Sequence, residues 1–177
     1  MSSFEIRKVF IPPNRLTPLK SNWNSIVAPI VQNLSLNMRY NPANRCVEVR
    51  GGEDQSQLLQ KAEDFIKAFA FGFDVQDAIV LLRLDDMYID SFEVKDVKTL
   101  SGEHLSRAIG RLAGKGGKTK AIIENTSKTR IVIADSKIHI LGSYKNIRVA
   151  KDALVSLIQG STPGKVYTKL RAIKARN

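Results

Sequence analysis

Cysteine and histidine are scarce in this sequence. Cys46 is the only cysteine, and His104 and His139 are the only histidines. A single cysteine excludes an intramolecular disulfide and favours a reducing compartment, and so few soft ligands argue against a structural zinc site. No metal and no other cofactor is therefore expected.

Long apolar runs are missing as well. None approaches the roughly 20 residues that a membrane-spanning helix needs, and the start, Met-Ser-Ser-Phe-Glu-Ile-Arg, contains no signal-peptide core. These absences predict a soluble, intracellular protein with no membrane partner. At 177 residues and 43% hydrophobic composition, the chain can form one large or two small packed domains.

Acidic residues are few in the second half of the chain. Residues 1–80 carry nine Lys/Arg and eight Asp/Glu, whereas residues 81–177 carry nineteen and nine, so +10 of the net charge of +11 belongs to the second half. A generally basic surface would spread this charge evenly. The asymmetry predicts that the second half binds a polyanion and that the first half binds a different class of partner.

Glycine is absent from residues 1–50 but clusters at Gly114, Gly116 and Gly117. Apolar residues at helical spacing precede this cluster and an apolar segment follows it, so the sequence predicts two helices joined by a Gly-Lys-Gly-Gly turn. Small residues would let a sugar-phosphate backbone approach the main chain, and the first N–H groups of the second helix would face the phosphates. The turn resembles the nucleic-acid clamp of a KH domain.

Other interpretations of the glycine turn are a purely structural helix cap and a nucleotide site. An isolated turn of this kind is more often structural, but seven Lys/Arg against two acids between Glu103 and Arg130 favour a binding role. A P-loop needs a glycine where this chain has Leu112, and a dinucleotide fingerprint starting at Gly114 needs one where it has Thr119. Both nucleotide interpretations therefore fail.

The predicted RNA-binding residues surround a groove for about four nucleotides of single strand. The turn and its lysines would hold phosphates, two arginines of the preceding helix would extend the basic face, and two later cations would reach the other wall. In that order they are Gly114, Lys115, Gly116, Gly117, Lys118 and Lys120, then Arg107 and Arg111, then Lys128 and Arg130. For each lysine outside the turn, a position on a solvated helix face is an equal alternative.

The second half has the element order of a type I KH module. The predicted elements are a strand over 88–97 with a bulge near 91–92, a helix over 101–112, the glycine turn with its helix, strands over 129–134 and 137–141, and a helix ending at Gly160. This order predicts a three-stranded sheet with helices on one face.

The first half repeats this order without the glycine turn. Its predicted elements are a strand over 7–11, a helix over 23–34 bent by Pro29, strands over 36–40 and 45–50, and a helix over 58–69. The segment 44–51 parallels 135–142, so we infer a diverged duplication. The first half also holds eight of the twelve aromatic residues, most of them expected in the core, and its clamp-free surface favours protein contacts.

The predicted fold is therefore α+β, with two tandem type I KH-like domains, the first lacking the glycine turn. Residues 1–80 are expected to form a degenerate KH-like domain for protein interaction, and residues 81–162 the RNA-binding KH domain. Residues 163–177 would form a basic C-terminal helix or tail, in which Val166, Leu170 and Ile173 recur at helical spacing. The tail is expected either to pack on the body or a partner, or to fray. Its deletion from residue 165 should weaken binding to precursor particles more than binding to a short oligonucleotide.

Several blocks of the second half resemble the Partner-of-Nob family (Pno, also Dim) of small-subunit ribosome assembly factors. The blocks are residues 90–98, 104–120, 134–142 and 160–167, and softer motifs extend the resemblance over essentially the whole chain. It implies binding near the 3′ end of precursor small-subunit rRNA and partnership with the Nob endonuclease that matures that end. It also implies contacts with small-subunit ribosomal proteins and other assembly factors, and a role as an assembly chaperone rather than a catalyst.

The start of the chain departs from the family pattern. Eukaryotic members resemble this chain only after a polar N-terminal extension, whereas the first predicted strand begins within a few residues of Met1. A compact lineage, an archaeal-like member or a trimmed chain would each explain this. A eukaryotic member is expected in the nucleus, nucleolus and cytoplasm, and an archaeal one in the cytoplasm.

Little in the sequence supports an enzyme. A group of acids at Asp85, Asp86, Asp90, Glu93 and Asp96 is joined by no histidine, metal-ligand pattern or nucleophile. His104 is expected to hydrogen-bond locally, and His139 to be a surface or packed residue. The alternative function is a protein-only adaptor with a vestigial glycine turn.

Overall fold

The structure is a computed structural model that describes residues 3–176. The chain divides between Asp85 and Asp86 into two compact units. We refer to them as the first and the second unit. Among residues 3–176, no helix is both long and apolar enough to cross a membrane.

The first unit contains a three-stranded antiparallel sheet in which β3 is the central strand. Its elements are β1 (Phe4–Phe10), α1 (Pro13–Ser21), α2 (Trp23–Ala28), a π-helical segment (Pro29–Asn33), β2 (Asn37–Asn41), β3 (Cys46–Gly52), a 3-10 turn (Glu53–Gln55), α3 (Ser56–Phe71), α4 (Val75–Ala78) and α5 (Val80–Arg83). Pro29, which lacks an N–H group, marks the change from α- to π-helix.

The core of the first unit lies between its sheet and α3. Val47 and Val49 of β3 are fully buried, and Phe65 and Phe69 of α3 pack in the same core. Arg15 of α1 stacks on the Phe69 ring at 4.3 Å and donates a hydrogen bond of 3.0 Å to the Phe69 carbonyl oxygen. Arg15 therefore ties α1 to the end of α3.

Sequence reasoning missed α1 because prolines stand at positions 12, 13 and 18. Pro13 is the first helical residue, where the absent N–H has no partner to lose, but Pro18 lies inside the helix. Burial of Leu19 compensates for this unfavourable residue. Only Asn22 separates α1 from α2, and both its N–H and its side-chain amide donate to the Pro18 carbonyl oxygen, at 3.0 and 2.9 Å.

The second unit repeats this topology, with β6 as the central strand of its antiparallel sheet. Its elements are β4 (Met87–Glu93), α6 (Val94–Val97), α7 (Gly102–Ala113), a 3-10 turn (Lys115–Gly117), α8 (Lys118–Ser127), β5 (Arg130–Ala134), β6 (Lys137–Ser143), α9 (Tyr144–Ile158) and α10 (Pro163–Arg176).

The predicted strand over 88–97 is too long, and the predicted bulge is wrong. Pairing between β4 and β6 runs without interruption, and residues Val94–Val97 form a helical turn. The alternation of apolar and polar residues is irregular here because Asp90 shares the helix-facing side of β4 with Phe92, and Lys151 of α9 contacts both. Lys151 of α9 makes this acid tolerable there, since its ammonium lies 3.1 Å from the Asp90 carboxylate.

The core of the second unit lies between β6 and the helices. Ile138 and Ile140 of β6 are fully buried, as are Leu112 of α7 and Leu154 of α9. The C-terminal helix α10 belongs to this core, because its residues Val166 and Leu170 are only 5% and 2% exposed. The tail is therefore a packed helix that lies against α8 and α9.

Candidate nucleic-acid interface

The end of α7 and the start of α8 meet at Gly114. This residue has φ 77° and ψ 173°, a backbone conformation that only glycine adopts readily. A Cβ atom there would lie 2.3 Å from the hydroxyl oxygen and 2.7 Å from the backbone nitrogen of Thr119. Gly114 is therefore required both by the backbone and by the packing of α8 against the turn.

Gly116 and Gly117 form the outer side of the turn. Both have positive φ, 63° and 75°, and no heavy atom lies within 4 Å of where a Cβ would stand on either. The Gly117 N–H donates to the Gly114 carbonyl oxygen at 3.2 Å, which closes the turn. The two glycines leave a bare surface at which a phosphate group can reach the main chain.

Cations precede and follow this bare surface along the chain. Lys115 and Lys118 are exposed and Lys120 is half-buried, and no acid stands in the turn or in the first turn of α8. Arg107 and Arg111 stand one helical turn apart on the exposed side of α7. We call these five cations the basic ridge. Arg107 also lies 3.5 Å from Glu103, but both side chains are exposed, so this pair contributes little.

Lys128 and Arg130 do not join the basic ridge. They follow α8, whose ten residues separate them from the turn by about 15 Å along the helix axis. Ile131 faces the core, so its neighbour Arg130 is directed to the side of the sheet away from the helices. That these two cations form the other wall of the groove stays a prediction.

Glu124 has a structural role that the sequence did not indicate. Its carboxylate accepts a 2.8 Å hydrogen bond from the backbone N–H of Ile131 on the edge strand β5, and its carbonyl oxygen accepts one of 3.0 Å from Thr129. Glu124 thus holds α8 against β5. One of only two acids in this basic segment is engaged in holding the fold.

A hydrogen bond links the glycine turn to the C-terminal helix. The hydroxyl groups of Thr119, which is buried, and Tyr167 of α10 are 2.9 Å apart. Because Thr119 is also the residue that packs against Gly114, α10 supports the turn from behind. The two residues are 48 positions apart, so no local pattern could have revealed this contact.

The histidines and acids do not assemble into a reactive site. His139 is buried with its Nδ1 2.6 Å from the Ser91 hydroxyl, and burial, followed by the nearby charge of Lys137, lowers its pKa. His104 lies exposed on α7. Asp85 pairs with Lys61 at 2.5 Å. Across the part of the chain that the structure describes, no three His, Cys, Asp or Glu residues stand close enough to hold a metal ion.

The first unit has no comparable surface at the corresponding place. Asn22 joins α1 directly to α2, and its N–H and side chain are both directed at Pro18. The Asn22 carbonyl oxygen in turn accepts from Ile26. This junction is closed by its own hydrogen bonds, whereas Gly116 and Gly117 lie open.

Sequence comparison relates the chain to proteins of pre-rRNA processing. A family model for the second KH domain of PNO1 proteins, described as a eukaryotic type KH-domain (KH-domain type I), matches residues 91–175. The chain is 61% identical over 174 residues to the pre-rRNA-processing protein pno1 of Schizosaccharomyces pombe, covering 97% of this chain and 72% of that protein. It is 60% identical over 174 residues to the RNA-binding protein pno1 of Dictyostelium discoideum, covering 97% and 73%.

Solved archaeal structures share the fold. Dim2p from Pyrococcus horikoshii has a TM-score of 0.81 at 26% identity, with 95% of this chain and 99% of that chain covered. A chain of the a/eIF2alpha-aDim2p-rRNA complex from the same organism has a TM-score of 0.84 at 24% identity, covering 98% and 96%. The predicted fold class is thereby confirmed. Since the similarity to the eukaryotic relatives extends over nearly the whole sequence, the chain belongs to the PNO1 family of KH-domain, RNA-binding pre-rRNA-processing proteins.

Proposed function

We propose that the second unit clamps a single-stranded segment near the 3′ end of precursor small-subunit rRNA, with the sugar-phosphate backbone on the glycine turn. The observation that carries this proposal is the bare surface of Gly116 and Gly117, which lies between exposed lysines and has no acid beside it. Phosphates there would meet main-chain N–H groups and cations together. The basic ridge extends the contact along α7.

The protein acts in this proposal as an assembly factor and not as a nuclease. It would hold the RNA segment in a defined place while the Nob endonuclease cuts, and it would contact small-subunit ribosomal proteins and other assembly factors. Identities of about 60% to eukaryotic relatives, against 26% or less to the two archaeal structures, support a eukaryotic setting. The expected compartments are then the nucleus, the nucleolus and the cytoplasm.

The first unit would bind protein partners of the assembly particle. Phe4, Ile6 and Phe10 of β1 are 58%, 51% and 59% exposed. They alternate along the strand, so all three face the side of the sheet away from α3. β1 is an edge strand, and apolar side chains grouped on one exposed face are typical of protein-binding surfaces. The closed junction at Asn22 fits this division of labour.

The test is a charge reversal in the turn. Lys115→Asp combined with Gly116→Asp should lower affinity for single-stranded oligonucleotides from the 3′ end of precursor small-subunit rRNA by at least 30-fold, because aspartates would repel the phosphates. Aspartate tolerates the left-handed conformation of Gly116, so the melting temperature should stay within a few degrees. The measurement is fluorescence anisotropy, with thermal melting as the check on folding.

A matched control is Lys98→Asp combined with Thr99→Asp, since both residues are exposed and lie outside the basic ridge. It changes the net charge by the same amount and should retain most of the affinity. Equal losses in the two double variants would refute the assigned clamp. If the chain bound no RNA but still bound its protein partners, the protein-only adaptor would be the correct function.

A further inference from the structure

A groove of about 310 Å³ lies between α9 and α10 on the second unit. Its floor is apolar and consists of side chains from both helices. These are Val149, Ala153, Val166, Leu170 and Ile173. Ala153, Val166 and Leu170 are buried in the core below, while Val149 and Ile173 keep part of their surface exposed in the groove. None of these residues belongs to the basic ridge.

The rim of the groove is mainly basic. Arg148 of α9 and Lys169 of α10, both exposed, stand with Lys145 against one acid, Asp152. Tyr144, 69% exposed, lies at one end. An apolar floor between cations complements a segment that is apolar on one face and acidic along its sides.

The dimensions of the groove fit a helix. Its α9 wall runs from Tyr144 to Ser156, which corresponds to about 18 Å, or about three helical turns. An RNA strand in this groove would place its bases against the floor, where the side chains are aliphatic and offer no ring for stacking. The aliphatic floor therefore favours a protein occupant over RNA.

We propose that this groove binds an acidic amphipathic helix of a partner protein. Apolar residues of that helix at i, i+4, i+7 and i+11 would contact Val149 and Ile173, and its flanking carboxylates would face Arg148 and Lys169. The proposal does not rest on RNA binding at the glycine turn. The second unit would then carry two separate surfaces, one for RNA and one for protein.

The test uses the full chain and two phage-displayed libraries of 15-residue helical peptides. Both libraries vary leucine, isoleucine, methionine and phenylalanine at the four apolar positions. One has glutamate and the other lysine at the flanking positions. Selection should enrich the glutamate library at least tenfold over the lysine library. The most enriched peptide, once synthesised, should bind the double variant Arg148→Glu with Lys169→Glu at least tenfold more weakly than it binds the wild-type chain. Its affinity for the single variant Ile173→Asp should fall at least tenfold as well.

The matched control is Lys95→Glu combined with Lys98→Glu, which removes the same charge at exposed positions outside the groove and should leave peptide affinity unchanged. Because Arg148 and Lys169 are exposed, the double variant should melt like the wild type, and amide NMR shifts on peptide addition should be confined to α9 and α10. Failure to enrich the glutamate library, or equal binding to the double variant, would overturn the proposal. The proposal would also be overturned if the double variant lost oligonucleotide binding while the wild-type chain bound no peptide. The groove would then be assigned to RNA.

Discussion

Gly114 and Gly116 stand two positions apart, yet their surroundings differ. A side chain at Gly114 would meet the backbone nitrogen of Thr119, whereas one at Gly116 would meet open space. We expect Gly114→Ala to lower the free energy of unfolding by about 3 kcal/mol or more, from strain and overlap together. Gly116→Ala should cost only about 1–2 kcal/mol, from the left-handed backbone alone. Urea unfolding measures both, and equal losses would contradict this assignment of the two glycines.

His139 predicts a pH dependence of stability. Burial lowers its pKa below the ordinary value, so below about pH 6.5 the unfolded state binds more protons than the folded one. This contribution to the free energy of unfolding is therefore complete above that pH and is lost as the pH falls. His139→Gln should reduce the difference in stability between pH 7.5 and 5.5, measured by urea unfolding. If His139→Gln kept the full difference in stability, the role of His139 would be refuted.

At the scale of elements, α10 is part of the second unit's core. Deletion from residue 165 would remove Val166 and Leu170, both buried, so it would unfold or loosen the unit and could not isolate a particle-docking role. The prediction that the basic side of this helix docks on precursor particles stays a prediction. Reversing the charge of the exposed residues Lys165 and Lys174 is the better test of docking on precursor particles, because these side chains lie outside the core.

The contact between α10 and the glycine turn can be tested with one hydroxyl group. Tyr167→Phe removes the partner of the buried Thr119 hydroxyl, and we expect a loss of about 1 kcal/mol in the free energy of unfolding. Affinity for single-stranded RNA should fall by about 3- to 10-fold, because the turn loses its support. Tyr144→Phe is the matched control, since that side chain is 69% exposed. If anisotropy showed the same RNA affinity for both variants, the supporting role of α10 would be wrong.

At the scale of the whole molecule, the chain forms two units, and nearly all of its net positive charge lies in the second. We expect the fragment 86–177 to bind single-stranded RNA and the fragment 1–85 to bind at least 30-fold more weakly, with circular dichroism confirming that each is folded. Each phosphate contact contributes about 0.7 to the slope of log affinity against log salt concentration. Lys118→Gln combined with Lys120→Gln in the full chain should therefore flatten the slope by up to about 1.4. An N-terminal fragment that bound RNA as well as the full chain would contradict this division.

Features that depend on a few consecutive residues could be read from the sequence. Alternating and helical spacing of apolar residues predicted the strands β5 and β6 and the helices α3 and α9 with small errors at their ends. The run from Gly114 to Gly117 predicted a turn between two helices, because positive φ is a local property of glycine. The blocks of resemblance predicted the family, which the comparisons confirmed. The assignment of individual RNA-binding residues stays a prediction.

Only the tertiary structure decided what depends on distant parts of the chain. Lys151 makes Asp90 acceptable on the inner side of β4, Tyr167 reaches Thr119 behind the turn, and Leu19 holds a helix that contains a proline. In each case a buried contact between separate elements outweighs the local preference. Composition, charge distribution and backbone-restricted turns were determined by the sequence itself. The tertiary structure decided which partner each buried group has, and it formed the groove between α9 and α10. Both depend on how separate elements pack, because water is removed only from surfaces that meet in the folded chain.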